Sequence, residues 1–139
     1  YMMYCNIMNI KSSKELVEEA NKEIKVLKAE QVKEACENGE ATLIDIRDIR
    51  ELWNEGTIKN SMHIPRGMLE FWLDPQSPYY QQKKIGSLKN IILFCALGYR
   101  SALATKSLKD MGFTNVSNAE GGFEALKNIG LDVVQKEKN

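Results

Sequence analysis

Two short apolar runs limit the folds that this chain can adopt more than any other feature of its sequence. The first is "LIDI" at residues 43–46, which Asp45 interrupts, and the second is "IILF" at residues 91–94. Each run has the length of a buried strand, and segments with apolar residues at helical spacing lie before, between and after them. This alternation predicts an α/β fold with a mostly parallel central sheet that is flanked by helices on both faces.

Caps and periodicity predict the other elements. We expect a helix over about residues 13–22, further helices in "KAEQVKEACE", "DIRELWNE", "SALATKSLKDM" and "FEALKNIG", and short strands in "IKVL", "SMHI" and "TNVSNA". The helix in "SALATKSLKDM" should start near Ser101 and bury a face that includes Leu108 and Met111. The stretch "RGMLEFWLDPQSPYYQQKKIG" predicts a long loop with one helical turn, because it is rich in Pro and aromatic residues.

The charge balance and the cysteine count narrow the functional classes. The 139 residues include 19 basic and 19 acidic side chains, so the net charge gives no support to binding of nucleic acid or an anionic membrane. No apolar run reaches the roughly 20 residues of a membrane-spanning helix, and "YMMYCNIMNI" at the N-terminus does not resemble a signal peptide. Three irregularly spaced cysteines suggest neither a disulfide framework nor a zinc site. We therefore expect a cytoplasmic protein.

The segment "CALGYRS", residues 95–101, carries the strongest chemical signal. Cys95 ends the second apolar run, and ligands bind at the carboxyl ends of parallel strands. The amides of a glycine-containing loop, the N-terminus of the following helix and the guanidinium of Arg100 all favour a thiolate over a thiol. We infer that Cys95 is a nucleophile that faces an anionic substrate. The alternative from the residues alone is a buried apolar cysteine at a strand end.

With this loop, the chain resembles the single-domain rhodaneses of the thiosulfate sulfurtransferase family. The active-site loop of that family runs Cys-x-x-Gly-x-Arg followed by Ser or Thr, which Cys95, Gly98, Arg100 and Ser101 match. The family also has an Asp-x-Arg, Glu, Gly-x-Ile, Ile-Pro signature and a late Gly-Gly. These features match, in order, Asp45, Arg47, Glu51, Gly56, Ile58, Ile64, Pro65, Gly121 and Gly122.

The resemblance implies a rhodanese-like three-layer fold and an enzyme that moves sulfane sulfur from thiosulfate or a persulfide to a thiol or cyanide. Cys95 would carry the sulfur as a persulfide, and Arg100 would neutralise the anionic donor and help to form the loop. The residues expected to bind the substrate are Ala96, Leu97, Gly98, Tyr99, Ser101 and Arg47. Neither a metal nor a cofactor is required. The expected partners are a small-molecule sulfur donor and a thiol acceptor, with a protein as an alternative acceptor, and neither nucleic acid nor a membrane.

Loop length separates two chemistries within this resemblance. Phosphatases of the same fold, and the unrelated tyrosine phosphatases, use Cys-x5-Arg, in which the additional residue widens the cradle for a phosphoryl group. Here "ALGY" places four residues between Cys95 and Arg100, as in the sulfur-transferring members. The alternative function is a rhodanese-fold binding or redox-sensing module with little turnover. The intact Cys95 favours the enzyme.

The domain organisation follows from the extent of the resemblance, which covers about residues 24–131. We expect an N-terminal tail and helix over residues 1–23, a rhodanese-like domain over 24–134 and a C-terminal tail over 135–139. The usual His, Gly-Ala and Trp of the family are replaced here, which leaves the subgroup open; the replacing residues are Thr57, Asn60, Ser61 and Leu126.

Polar residues outside the loop are assigned structural roles. Asp45, Arg47 and Glu51 should form an ion-pair network at a strand end, with Arg47 also able to add positive potential near the pocket. His63, the only histidine, should be structural rather than a general base.

Two further groups of residues receive expectations from their surroundings. The aromatic stretch "MLEFWLDPQSPYY" is predicted equally well as a lid that selects the sulfur acceptor and as a hydrophobic cluster under a long loop. Cys36 lies on an apolar helical face and should be in the core, whereas Cys5 should be exposed or disordered.

Overall fold

The computed structural model describes residues 9–80 and 88–138. Within these residues, five parallel strands form the central sheet, and two further strands form a small antiparallel sheet. The strands are β1 (Lys25–Leu27), β2 (Ala41–Asp45), β3 (Thr57–Ile58), β4 (Met62–His63), β5 (Asn90–Phe94), β6 (Val116–Ala119) and β7 (Val133–Val134). The large sheet has the order β1-β6-β5-β2-β4, and β3 pairs with β7. The two apolar runs of the sequence therefore lie side by side, with Leu43 opposite Ile92.

Helices cover both faces of the large sheet. They are α1 (Ser13–Glu23), α2 (Ala29–Glu37), α3 (Ile49–Glu55), α4 (Leu69–Leu73), α5 (Tyr99–Met111) and α6 (Gly122–Asn128), with a 3-10 turn (Arg66–Met68) before α4. The side chain of Ser12 caps α1 and that of Asp48 caps α3, each by accepting a backbone N–H of the first turn. The helix predicted over residues 13–22 is confirmed.

The residues of β5 divide the core into two layers, because successive side chains of a strand point to opposite faces. Ile91 and Leu93 pack with the cluster that includes Leu108 of α5. Ile92 and Phe94 pack with the cluster that includes residues of α2 and α6. The predicted α/β fold, with a mostly parallel sheet between two helical layers, is confirmed.

Two details of the predicted helix at residues 101–111 are corrected. Helix α5 begins at Tyr99 rather than near Ser101, because Gly98 adopts a left-handed conformation that starts the helix directly after the loop. Met111 is 44% exposed and does not belong to the buried face of α5, since it is the last residue of the helix.

The predicted long loop is more ordered than expected. It contains the 3-10 turn and α4, whose Leu69 and Leu73 are buried in the core. Residues 81–86 of that predicted loop lie outside the described residues. The pairing of β3 with β7 was not predicted, because two-residue strands leave almost no periodicity in a sequence.

Helix α1 packs against α5. Glu23 forms an ion pair with Lys106 at 3.6 Å, and the backbone carbonyl of Glu23 accepts a hydrogen bond from Lys109. Across both described ranges, no helix combines the length and apolar character that crossing a membrane requires.

Candidate active site

Cys95 follows the last residue of β5, the strand that lies between β2 and β6 in the sheet. Its Sγ accepts hydrogen bonds from the backbone N–H groups of Gly98, at 3.2 Å, and Ser101, at 3.4 Å. We call residues 95–101 the cradle, because their backbone curves around this sulfur. Cys95 is only 1% exposed, so the sulfur lies at the base of the cradle rather than on the surface. The two N–H groups favour negative charge on the sulfur.

Gly98 allows the backbone of the cradle to make its tight turn. Its φ of +98° lies in the left-handed region, which costs little for glycine and is unfavourable for other residues. Gly98 is also the N-cap of α5, and its carbonyl accepts the N–H of Ala102 at 3.2 Å. The positive end of the helix is thereby directed at the cradle.

The late Gly-Gly pair allows α6 to approach the outer side of the cradle. A Cβ atom on Gly122 would lie 2.4 Å from the carbonyl oxygen of Cys95, which no side chain tolerates. In the absence of that atom, the N–H of Phe123 donates to the Cys95 carbonyl at 2.8 Å. The N-terminus of α6 therefore holds the backbone of Cys95 in place.

Arg100 belongs to the cradle, and its guanidinium is bound to Glu51 of α3. Nη1 and Nη2 donate to the two carboxylate oxygens of Glu51 at 2.8 and 3.0 Å. The hydrogen bond from Arg100 lowers the pKa of Glu51, and the Glu51 carboxylate raises the pKa of Arg100, with a smaller contribution from Cys95. The expected cation is present at the cradle, and Glu51 belongs with Arg100 rather than with the ion pair at the end of β2.

Asp45 and Arg47 form that buried ion pair, and both side chains are fully buried. Arg47 Nη2 donates to Asp45 Oδ2 at 2.7 Å and to the carbonyl of Gly56 at 2.8 Å. Thr57 donates its hydroxyl to the same carboxylate at 2.7 Å, and the Arg47 guanidinium stacks 4.2 Å from the ring centre of Phe123. The structural role expected for these two residues agrees with this placement.

The placement does not bring Arg47 to the cradle as a substrate-binding residue. Its side chain has no exposed surface, and its donors are directed at Asp45, Gly56 and Glu55. Burial of a cation is costly unless it is paired, so the partners in the interior determine where this guanidinium lies.

The other predicted cradle residues divide into a rim and a base. Leu97 and Tyr99 are exposed at the rim, and Ala96 is partly exposed there. Ser101 is fully buried at the base, with its Oγ 3.4 Å from Cys95 Sγ. Ala96 to Ser101 thus lie in the loop that curves around the sulfur, and their role in substrate binding stays a prediction.

One buried residue at the cradle was missed by the sequence analysis. Asn118 of β6 accepts a hydrogen bond from Ser101 Oγ at 2.5 Å and donates one from Nδ2 to the Gly98 carbonyl at 3.2 Å. It is 2% exposed. The signal that could have revealed Asn118 is an amide side chain in a short strand whose residues are all buried, because a buried polar group needs a hydrogen-bond partner.

Two cavities flank Tyr99 at the rim of the cradle. One, of about 660 Å³, lies between α1 and α5, where Val17 and Leu103 face each other beside Arg100. The other, of about 470 Å³, is bordered by Leu97 and Asn118. Both open beside the cradle.

The aromatic stretch does not form a single feature. Trp72 packs against the core cluster on the α5 side, as the hydrophobic-cluster hypothesis expects. Phe71 and Tyr79 are exposed, and their rings meet edge to face with centres 6.2 Å apart. The lid hypothesis for this stretch stays a prediction.

The remaining candidate residues have structural surroundings. His63 Nε2 lies 2.8 Å from the Arg47 carbonyl, which is the structural position expected for it. Cys36 is partly buried beside the α2–α6 core, and burial raises the pKa of its thiol. Cys5 lies outside the described residues. In the described part of the chain, no cluster of three or more His, Cys, Asp or Glu side chains could hold a metal ion.

Comparison with known proteins identifies relatives of this arrangement. The family model for the Rhodanese-like domain matches residues 28–129. Among curated proteins, a tRNA uridine(34) hydroxylase from Prochlorococcus marinus (strain MIT 9312) is 34% identical over 105 residues, which are 73% of this chain and 32% of that protein. The chain therefore spans about a third of the length of this relative.

Two solved structures resemble the chain over most of its length. A protein of unknown function from Rhodopseudomonas palustris, described as a possible tyrosine phosphatase, is 39% identical with a TM-score of 0.83, and the match covers 89% of this chain and 95% of that one. A polysulfide-sulfur transferase from Wolinella succinogenes, which is a homodimer, is 31% identical with a TM-score of 0.65, covering 91% and 89% of the two chains.

Proposed function

Because the chain belongs to the rhodanese-like domain family, we propose that it is a sulfurtransferase that carries sulfane sulfur on Cys95. The observation that carries this proposal is the pair of N–H groups, from Gly98 and Ser101, that converge on the Cys95 sulfur. A cysteine that served only as a packing residue would not need two amide donors. The same donors stabilise a thiolate and, after transfer, a negatively charged persulfide.

The first half of the reaction loads the enzyme. The Cys95 thiolate attacks the outer sulfur of thiosulfate, so that a bond forms between the two sulfurs while the bond between the outer and central sulfur of thiosulfate breaks. Sulfite leaves with the electron pair of the broken bond. Arg100 lies at the cradle and neutralises part of the charge of the incoming dianion, while it exchanges hydrogen bonds between Glu51 and the donor.

The second half of the reaction unloads the enzyme. A thiolate acceptor or cyanide attacks the outer sulfur of the persulfide and restores the Cys95 thiolate. The cavities on either side of Tyr99 give such an acceptor a path to the rim of the cradle. A thiol is the expected acceptor, as a reducing, cytoplasmic compartment would supply.

Thiosulfate and polysulfide are both donors that this site can accept. The relative from Wolinella succinogenes is described as a polysulfide-sulfur transferase and matches nearly the full chain. Both donors present a terminal sulfur on an anion, which is the chemistry that the N–H groups and Arg100 attract. The choice between them is decided by comparing kcat/KM for the two donors.

A phosphatase is the second candidate, because the Rhodopseudomonas palustris neighbour is described as a possible tyrosine phosphatase. The four-residue spacer between Cys95 and Arg100 weighs against it, since phosphatases of this kind use five residues to enclose a phosphoryl group. Hydrolysis of an aryl phosphate by the purified chain, lost in Cys95→Ser, would support the phosphatase.

The name of the Prochlorococcus relative raises tRNA uridine hydroxylation as a third candidate. Two facts weigh against its transfer to this chain. The match spans 32% of that relative, and the net charge of zero gives no attraction for a tRNA backbone. Incubation of the chain with tRNA, followed by nucleoside mass spectrometry, tests this candidate directly.

Thiocyanate formation from thiosulfate and cyanide tests the proposed function. We expect turnover by the unmodified chain and by Cys36→Ser, and no turnover by Cys95→Ser. The Cys36 variant is the matched control, because it removes the other free thiol of the described residues. Absence of turnover in the unmodified chain with both thiosulfate and polysulfide would favour the alternative of a binding or redox-sensing module.

A further inference from the structure

The hydroxyl of Ser101 lies between two groups that can each accept its single proton. Ser101 Oγ is 2.5 Å from Asn118 Oδ1 and 3.4 Å from Cys95 Sγ. The orientation of the Asn118 amide is set by its other end, where Nδ2 donates to the Gly98 carbonyl. Oδ1 therefore faces Ser101 and can only accept. All three side chains are buried, so water does not easily replace a hydrogen bond that is lost among them.

The charge of the sulfur decides whether every donor and acceptor among Cys95, Ser101 and Asn118 has a hydrogen-bond partner. When Cys95 is a thiol, its S–H can donate to Ser101 Oγ while Ser101 donates to Asn118, and every group is satisfied. When Cys95 is a thiolate, the sulfur only accepts. Ser101 can then serve the sulfur only if its hydroxyl turns away from Asn118, which leaves Oδ1 without a donor.

We propose that Asn118 is a positioning residue that competes with the Cys95 sulfur for the Ser101 proton. Asn118 holds the hydroxyl in the orientation that suits the neutral thiol, and ionisation of Cys95 releases it toward the sulfur. The proton lost by Cys95 leaves to solvent, because an amide oxygen is too weak a base to take it. The inference rests on the proposed function, since it concerns the nucleophile of that reaction.

The charged groups on the elements around the cradle are the same in every variant of the experiment. They include Arg100 on α5 and its partner Glu51 on α3. The others on the surrounding elements are Asp45 and Arg47 at the end of β2, His63 on β4, and Glu120 and Glu124 beside and within α6.

The experiment is a double-mutant cycle that is read by the ultraviolet absorbance of the thiolate against pH. The full chain with Cys5→Ala and Cys36→Ala is the parent, and Ser101→Ala, Asn118→Ala and the double variant are compared with it. Replacing Asn118 also removes its bond to the Gly98 carbonyl. That bond does not involve the hydroxyl, so its loss contributes equally with and without Ser101 and cancels in the cycle.

With Ser101 present, we expect Asn118→Ala to move the titration midpoint to lower pH, by about 0.7 pH unit more than in the Ser101→Ala background. The reason is that the variant removes a bond made only by the thiol form. Ser117→Ala is the matched control, because Ser117 is buried in the same strand but points to the opposite face. It should leave the midpoint unchanged.

Equal shifts in the two backgrounds, or a larger shift to higher pH when Ser101 is present, would overturn the proposal and leave Asn118 with a purely structural role. If Asn118→Ala does not fold, Asn118→Val serves in the same cycle, since valine is favoured in strands and also lacks an acceptor. The titration contains no sulfur donor. A failure of the inference about Asn118 is therefore distinguishable from a failure of the proposed function, which is tested by thiocyanate formation.

Discussion

Arg100 binds the carboxylate of Glu51 through two hydrogen bonds, at 2.8 and 3.0 Å, that connect α5 to α3. The two residues are 49 positions apart in the chain. The cation of the cradle is therefore already paired with Glu51, and in the proposed reaction an anionic donor has to share it. The first two predictions concern this pair.

Glu51→Gln should lower KM for thiosulfate about threefold, because removing the negative charge frees Arg100 to bind the donor. kcat should change less, since the N–H groups of the cradle remain. Glu55→Gln is the matched control, because Glu55 ends the same helix but contacts Arg47 instead. A KM that rises in Glu51→Gln, or that falls equally in the control, would contradict this role of Glu51.

The same pair should contribute to stability in a pH-dependent way. The hydrogen bond from Arg100 lowers the pKa of Glu51, so the stabilisation is present above the unfolded-state pKa of the carboxyl and disappears as pH falls through the lowered folded-state value. Both side chains are partly exposed, at 30% for Glu51 and 45% for Arg100, which limits the contribution to about 0.5 kcal/mol.

Urea unfolding measures this effect. Glu51→Gln should be slightly less stable than the unmodified chain at neutral pH, and the difference should vanish in acid, where the carboxyl of Glu51 is protonated. A difference that persists unchanged in acid would mean that Glu51 stabilises the fold by packing or capping rather than by its charge.

Arg47→Met should destabilise the protein by about 3–5 kcal/mol, because it leaves the buried Asp45 carboxylate without its cation. Arg50→Met is the matched control, since Arg50 pairs with Asp48 at the surface with 77% of its side chain exposed. It should have little effect on stability, because a surface pair of this kind is screened by solvent. Chemical denaturation of both variants compares them, and similar costs would show that burial of the Asp45–Arg47 pair is not what makes it important.

Gly122→Ala should reduce sulfur transfer strongly, about a hundredfold, because the new Cβ would collide with the Cys95 carbonyl and displace the cradle from α6. Gly112→Ala is the matched control. Gly112 also has a positive φ, of +109°, but nothing lies near its Cβ position. It should lose stability without losing kcat in the folded fraction. Equal kcat in the two variants would show that contact between α6 and the cradle is not needed for the reaction.

The parts of this structure that depend on local pattern could be predicted from the sequence. The alternation of apolar runs with helical periodicity gave the layers of the fold, and the spacing from Cys95 to Arg100 gave a loop whose residues do surround the sulfur. The glycine at position 98 marked the turn, because only glycine adopts its φ of +98° at little cost.

Long-range pairing could not be predicted in the same way. The sequence places Asp45, Arg47 and Glu51 close together, yet Arg47 is buried with Asp45 while Glu51 crosses to Arg100. Which acid meets which cation depends on the packing of α3 against the sheet, and no local pattern encodes that. The bond from Ser101 to Asn118 was hidden for the same reason, since it joins a helix to a separate strand.

The central claim is that Cys95 carries the transferred sulfur, and intact-protein mass spectrometry after incubation with thiosulfate tests it most directly. We predict a mass gain of one sulfur atom, located by peptide mapping to Cys95, retained in Cys36→Ser, absent in Cys95→Ser, and removed by cyanide as thiocyanate. A chain that gains no sulfur from thiosulfate or polysulfide, or that gains it on Cys36 or Cys5 instead, would contradict the account.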